Sequence, residues 1–275
     1  MIRRRSIGHM AILVTLAVWA TLNLFPMYWM VQTAVTPENE ILTIPPTLFP
    51  SRITWENSER LFRVGLVPRW IVNSLIIAGS VMVLGVFISS LAGYAFAKIP
   101  FPGRRVLFAA VIATMLIPGE VTLLPSFLLL SRMGLRGTLW SVILPSLVMP
   151  FHIFLFRQYI STIPDSFIDA ARIDGASEVR TFLHVILPMS RPVLAASSIF
   201  IFVGTWNSFL WPLVMLDDPR MYPLTVGLTT LQEQHIAAFG LQMAGATVAA
   251  VPMIIVFFLF QKHFIKGLGA GGVVE

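Results

Sequence analysis

Long apolar runs separated by short polar connectors dominate the chain, at residues 10–33, 71–97, 106–130, 138–156, 193–215 and 242–261. A hydrocarbon core of roughly 30 Å takes about 20 helical residues to cross, and each run is close to that length. Lipid offers no partner to a free N–H or C=O group, so each run predicts a helix that satisfies its own backbone. The pattern therefore predicts an all-α polytopic membrane protein with six transmembrane helices, in which residues 1–9 form an N-terminal segment, 10–262 the membrane domain and 263–275 a tail. The first connector, about residues 34–70, reads as an extended proline-containing segment, "TPENEILTIPPTLFP", followed by a short amphipathic helix at "TWENSERLF". "KIPFPGRR" and "RMGLRGT" read as tight turns, and "LDDPRMYPLTVGLTTLQEQHIAAFG" as a loop that meets something outside.

Composition supports the membrane assignment. Hydrophobic residues make up 56% of the 275 and charged residues only 12%, about half the charge of a soluble chain. Met10–Thr33 is too long for the apolar core of a cleaved signal and reads as a retained anchor. The absence of cysteine excludes disulfides and thiolate metal sites. The net charge of +6 is informative through its location. With the N-terminus inside, the inner side holds Arg3, Arg4, Arg5, Lys98, Arg104, Arg105, Arg157, Arg172, Arg180, Arg191, Lys262 and Lys266. The outer side holds Arg52, Arg60, Arg63, Arg69, Arg132, Arg136 and Arg220. Both termini are expected in the cytoplasm, and the charge implies no nucleic-acid partner.

The largest inner loop, residues 157–192, contains "PDSFIDAARIDGASEVRTFLHVILP". Ser166 and Asp169 have capping-box spacing after Pro164, and Gly175 can supply the left-handed residue that ends a helix. Ser177 and Glu178 suit the start of a second helix. The loop is predicted as helix, tight turn, helix beneath the membrane, with Ala170 and Ala171 forming a flat face that invites docking. A DNA-reading helix-turn-helix is excluded because a tether of this length leaves no room for that module's remaining helices.

Asp169-Ala170-Ala171, Gly175 six residues after the Asp, and Ile186-Leu187-Pro188 resemble the EAA loop of ATP-binding-cassette importer permeases. "LIPGEVTLLPSFLLL", "GTWNSFLWPLVML", "YPLTVGL" and "GLGAGGV" extend the resemblance to the carbohydrate-importer branch, specifically to permeases similar to the second subunit of the maltose system. Asp169 stands where the motif has Glu. The resemblance implies a type I importer fold in the cytoplasmic (inner) membrane of a bacterium or archaeon. It implies that the first helix of the loop is a coupling helix seated in an ATPase subunit, with Asp169, Arg172 and Asp174 as rim charges. It further implies a homologous second permease, a dimeric nucleotide-binding ATPase and an extracytoplasmic solute-binding protein as partners, membrane lipid as surroundings, and a tail reaching between the ATPase subunits. The implied function is solute translocation by alternating access, for sugars or glycerol-phosphate-type solutes.

The chain has no energy source of its own. A phosphate-binding loop requires Lys followed by Ser or Thr, and neither Lys98, Lys262 nor Lys266 is so followed. ATP and Mg²⁺ are thus expected on a partner, with no cofactor, metal site or catalytic residue here. His152 reads as a bundle-facing or interfacial side chain. Glu120, placed within the third apolar run after Pro118-Gly119, is an intramembrane acid and so a functional candidate; it either lines the solute pathway or supports the helix break. Trp206, Asn207 and Ser208 are further pathway candidates; Trp206 and Trp211 could stack on sugar rings, although packing and interfacial belts suit them better. An ion-coupled secondary transporter is the alternative, and a single intramembrane acid argues against its proton relay.

Overall fold

A computed structural model describes residues 2–234 and 238–269. Among the described residues every regular element is helical. In chain order these are α1 (Ile2–Ala34), α2 (Glu38–Ile41), α3 (Glu56–Val64), α4 (Val67–Lys98), α5 (Arg104–Thr114), α6 (Gly119–Arg132), α7 (Trp140–Ile143), α8 (Pro150–Ser161), α9 (Ser166–Ile173), α10 (Glu178–Thr181), α11 (Leu187–Met189), α12 (Arg191–Trp206), α13 (Leu210–Met215), α14 (Leu224–Gln234) and α15 (Phe239–Gly269). A 3₁₀ turn joins α7 towards α8, a π-helical turn (Phe182–Ile186) joins α10 to α11, and a second 3₁₀ turn spans Pro219–Met221.

Four segments are long and apolar enough to cross a membrane alone: Gly8–Ala34, Val67–Lys98, Trp140–Ser161 and Phe239–Leu259. Two further candidates are bent pairs, α5 with α6 at 100° and Glu178–Met189 with α12 at 82°. The third apolar run is therefore not one helix. Pro118 lacks an amide hydrogen and pushes Ile117 out of the helical region, so Glu120 lies in the first turn of α6, where a carboxylate suits the helix dipole. The fifth run is likewise interrupted after Trp206, with α13 beginning at Leu210. At the other end, α15 runs through the glycine-rich stretch from Lys266 as far as Gly269, into the expected tail. Extending an established helix through glycine costs only about 1 kcal/mol per residue. Ala270–Glu275, the end of the expected tail, lie outside the described residues.

The chain divides into two compact units, Met1–Val67 with Leu228–Val251, and Pro68–Gly227 with Pro252–Glu275. In the first, Asn57 on α3 is buried and donates to the Ala34 and Thr36 carbonyls at 3.0 and 2.8 Å, tying the amphipathic helix to the end of α1. The proline-containing segment folds back along α1, where the Gln32 amide donates to the Thr47 carbonyl.

The second unit is organised on α4. Its 32 residues extend about 48 Å at 1.5 Å per residue. Trp70, Asn73, Ser74, Ile77, Ala78, Val81, Ser89, Ser90 and Tyr94 form its buried stripe, whereas Val72, Leu75, Ile76, Val83, Leu84 and Leu91 are exposed. The polar side chains of α4 thus gather on the face buried in protein, whereas the exposed face is aliphatic, as expected for a helix whose surroundings are as apolar as leucine. Gly93 lets α4 approach α8 closely, since a Cβ there would lie 2.5 Å from that of Phe156. Around this contact Tyr94, Phe156, Ile160, Ile168, Phe182, Ile186 and Ile201 form one buried cluster.

Candidate functional site

The inner loop folds as its sequence predicts at the turn and differs at the first cap. Gly175 has φ +76°. Its amide donates to the Arg172 carbonyl at 3.0 Å, and the Ala176 amide donates to that of Ala171 at 2.9 Å. These paired bonds are a Schellman closure of α9. Ser177 then caps α10 by accepting from the Arg180 amide at 3.4 Å. The expected capping box at Ser166 and Asp169 does not form: the cap position is Asp165, without a side-chain cap bond. The Asp165 side chain is instead engaged by Lys98, whose ammonium donates to Asp165 Oδ1 at 2.5 Å and to the Ile163 carbonyl at 2.6 Å. As hydrogen-bond donor and as charge, Lys98 holds the Asp165 carboxyl below the usual carboxylate range.

The two alanines do not share a face. Ala171 is buried towards the core while Ala170 is open, and the exposed surface of α9 presents Phe167, Ala170 and Ile173, the last 86% exposed. Asp169 and Asp174 are also exposed. Arg172 is engaged within the loop, donating from Nη2 to Glu178 Oε1 at 2.8 Å and lying 3.7 Å from Asp169. Its partner Glu178 accepts at Oε2 from the Tyr94 hydroxyl at 2.6 Å. Tyr94 and Lys98 thus belong to the loop's architecture, although sequence reasoning did not assign them to it. What the loop can do is present a short, stiff, apolar-tipped helix with acidic edges, without a nucleophile or base arranged for catalysis.

A second candidate lies at the breaks in the third and fifth runs. A cleft of about 410 Å³ is lined by Gly119, Glu120, Thr122, Leu123, Ser126, Pro145, Ser146, Ser208, Phe209, Leu210 and Trp211. Trp211 is oriented by donating from Nε1 to the Ser141 carbonyl at 3.0 Å. Glu120 and Ser208 are brought together here. Trp206 is 2% exposed and stacks on Phe202 at 5.7 Å, and Asn207 donates to the Val203 carbonyl at 2.9 Å and to Met253 Sδ at 3.2 Å, so neither lines the cleft. Thr122, Ser126, Ser146 and Trp211 complete the wall; of these only Trp211 was singled out in the sequence, as an aromatic suited to packing or an interfacial belt. His152 is buried, its Nδ1 3.2 Å from Ser197 Oγ, and faces the bundle.

Among the described residues, an all-helical chain with several segments able to cross a membrane, a short closed helix between two of them and a polar cleft at the helix breaks has the architecture of a membrane transport subunit. The chain belongs to the family described as the binding-protein-dependent transport system inner membrane component, which it matches over residues 61–269. It is thus a multi-pass inner-membrane protein serving a binding-protein-dependent importer, whose ATPase is a separate subunit. It is 38% identical to the arabinooligosaccharides transport system permease protein AraQ of Halalkalibacterium halodurans, over 92% of each chain. The protein of that name from Bacillus subtilis is 34% identical over 98% of this chain and 96% of its own. The sn-glycerol-3-phosphate transport system permease protein UgpE of Yersinia pestis is 29% identical over 93% and 94%. A bacterial ABC transporter involved in the import of the acidic polysaccharide alginate shares the fold, with a TM-score of 0.84, 23% identity, and coverage of 95% of this chain and 98% of that one.

Proposed function

We propose that this chain is one of two homologous permeases that carry sugars, oligosaccharides or glycerol-phosphate-type solutes inward by alternating access, driven by a dimeric ATPase that binds ATP and Mg²⁺. In this reading each bent pair is one span, giving six spans with both termini cytoplasmic, and α9 is the coupling helix, with Asp169 and Asp174 at its rim. The observation that carries the reading is the Schellman-closed α9 with Phe167, Ala170 and Ile173 exposed: an apolar helix face of this size beneath a membrane needs a partner to cover it. The sugar-linked and glycerol-phosphate names of the relatives support the solute class. Glu120 and Ser208 line the solute route in the cleft, where a carboxylate and hydroxyls suit the hydrogen bonds of a polyol, and an extracytoplasmic binding protein delivers the solute.

The test is uptake by proteoliposomes holding the chain with its neighbouring permease, ATPase and binding protein. Uptake of arabino-oligosaccharides or sn-glycerol 3-phosphate should require internal ATP and cease when Ile173→Asp undocks the ATPase. Uptake driven by an ion gradient without the ATPase would establish the secondary-transporter alternative instead.

A further inference from the structure

We propose that α4 is a transmission strut, held to the docking loop by Tyr94 and Lys98 at its inner end and to the outer loop 219–224 by Trp70, Asn73 and Ser74, so that displacement of either loop is delivered to the other. The proposal rests on the reading of α9 as the ATPase-docking helix.

The inner attachment grips both helices of the docking loop. Lys98, its side chain 8% exposed, reaches the segment entering α9 through the Ile163 carbonyl and Asp165. One turn earlier, Tyr94 donates to Glu178 at the head of α10, and its ring lies 5.6 Å from that of Phe182. Arg172 bridges α9 to the same Glu178. A push on α9 therefore reaches α4 through side chains, in addition to the route along the chain through α8.

The outer attachment is built in the same way. Trp70 Nε1 donates to the Pro219 carbonyl at 2.8 Å, and the Asn73 amide donates to the carbonyls of Arg220 and Tyr222 at 3.0 and 2.9 Å. The Leu224 amide donates to Ser74 Oγ at 2.7 Å. Gly227 completes the grip, because a Cβ there would lie 2.1 Å from the Trp70 ring. Trp70, Asn73, Ser74 and Tyr94 are all buried on one stripe of the helix.

Between its ends α4 is one continuous helix of 32 residues. Proline interrupts α1 at Pro26 and α15 at Pro252, the bent pairs turn through 100° and 82°, and Trp140–Ser161 contains a 3₁₀ turn. No proline falls inside α4 beyond its first turn. Coupling is carried by contiguous packed and hydrogen-bonded rigid elements, and α4 supplies such a route between attachments about 30–42 Å apart along its axis. Tyr94, Lys98, Trp70, Asn73 and Ser74 are positioning residues in this scheme, since they act through the loops they hold.

The test uses the assembled complex in nanodiscs with cysteine-free partners, the chain itself having no cysteine. Arg220→Cys places a thiol on the outer loop, and its labelling rate by a membrane-impermeant maleimide is measured with and without ATP and Mg²⁺. With native clamps, ATP should change the rate about five-fold or more, as expected for allosteric coupling. Tyr94→Phe and Lys98→Met at the inner end, or Asn73→Ala at the outer end, should reduce that change to less than about two-fold, with complex yield and ATP hydrolysis retained and Lys98→Arg restoring the response. A purely structural role would lower yield and hydrolysis together and leave the response of the remaining complexes intact. Persistence of the ATP response in Tyr94→Phe combined with Asn73→Ala, or its absence with native clamps, overturns the strut. Ile173→Cys cross-linking to the ATPase separates the two levels: without a cross-link the docking reading itself falls, and with a cross-link but an unchanged response in the clamp variants only the strut falls.

Discussion

Substituting Gly175 separates backbone geometry from docking sterics. A Cβ at position 175 would have no heavy atom within 4 Å, so within this chain the cost of a side chain is conformational alone. At φ +76° an L-residue pays roughly 1–2 kcal/mol, while Asn is tolerated and a β-branched residue is a genuine outlier. The alternative, leaving the left-handed region, gives up the Gly175 and Ala176 amide bonds that close α9, each worth about 0.5–1.5 kcal/mol net. The ceiling is thus about 1–3 kcal/mol, and 1–2 kcal/mol is a factor of about 5–30 in the population of the closed turn. Hydrogen exchange of the two amides in the assembled complex should rise by that factor in Gly175→Ala and further in Gly175→Val, with Gly175→Asn close to native. ATPase affinity and solute uptake should fall in the same order. Indistinguishable Gly, Ala and Val would refute the turn argument. Equal harm from Asn, Ala and Val would show that a side chain at residue 175 collides with the partner, and that φ is not the constraint.

Cysteine at Ser177 should be labelled only from the cytoplasmic side and cysteine at Asp218 only from outside; reversed labelling would overturn the orientation drawn from the loop charges. If Glu120 lines the solute route, Glu120→Gln should alter uptake or selectivity at unchanged complex yield, whereas native uptake in Gln with assembly loss confined to Glu120→Leu would leave Glu120 as support for the Pro118 break. Because the Asp165 carboxyl is held below the usual range by Lys98, the ion pair's contribution is present above the unfolded value of about 3.9 and is lost as pH falls through the lower folded value. Amide protection across residues 163–170 should therefore be constant from about pH 8 to 5 and drop only below about pH 4; a loss near pH 6 would contradict that assignment.

The extent to which the fold was legible follows from the range of the forces involved. Apolar length identified the segments that form four helices long enough to cross a membrane alone and two more candidates, each a bent pair, because lipid leaves the backbone no alternative to a helix. It did not show that the third and fifth segments are broken. Pro118 was visible, but a proline in a membrane helix is compatible with a gentle kink or a 100° turn, and the choice depends on which neighbouring groups satisfy the released carbonyls. Asn207 and Ser208 are still weaker markers, since both can bond back to the preceding turn of an unbroken helix, as Asn207 does to Val203. The Gly175 turn was legible for the opposite reason: a left-handed residue flanked by a helix end and a Ser cap is specified within a few positions.

The same distinction applies at the docking loop. Ser166 and Asp169 satisfied the local pattern of a capping box, yet the Asp165 side chain at that end is engaged by Lys98, 67 residues away in sequence. An ammonium that is nearly buried requires a charged or carbonyl partner, and the entrance to α9 supplies both. Nothing in Tyr94's own segment marks its role either, which comes from its hydroxyl lying 2.6 Å from Glu178, 84 residues away. Asn73 and Trp70 reach carbonyls 147 to 149 residues distant, and a backbone carbonyl leaves no mark on the identity of the residue that carries it. The closed helix α9, proposed to dock, is thus legible in its own segment, whereas the side chains that hold it to the membrane helices are specified only by tertiary packing. Variants on the exposed face of α9 should accordingly change partner affinity, while variants at Tyr94 or Lys98 should change what that binding accomplishes.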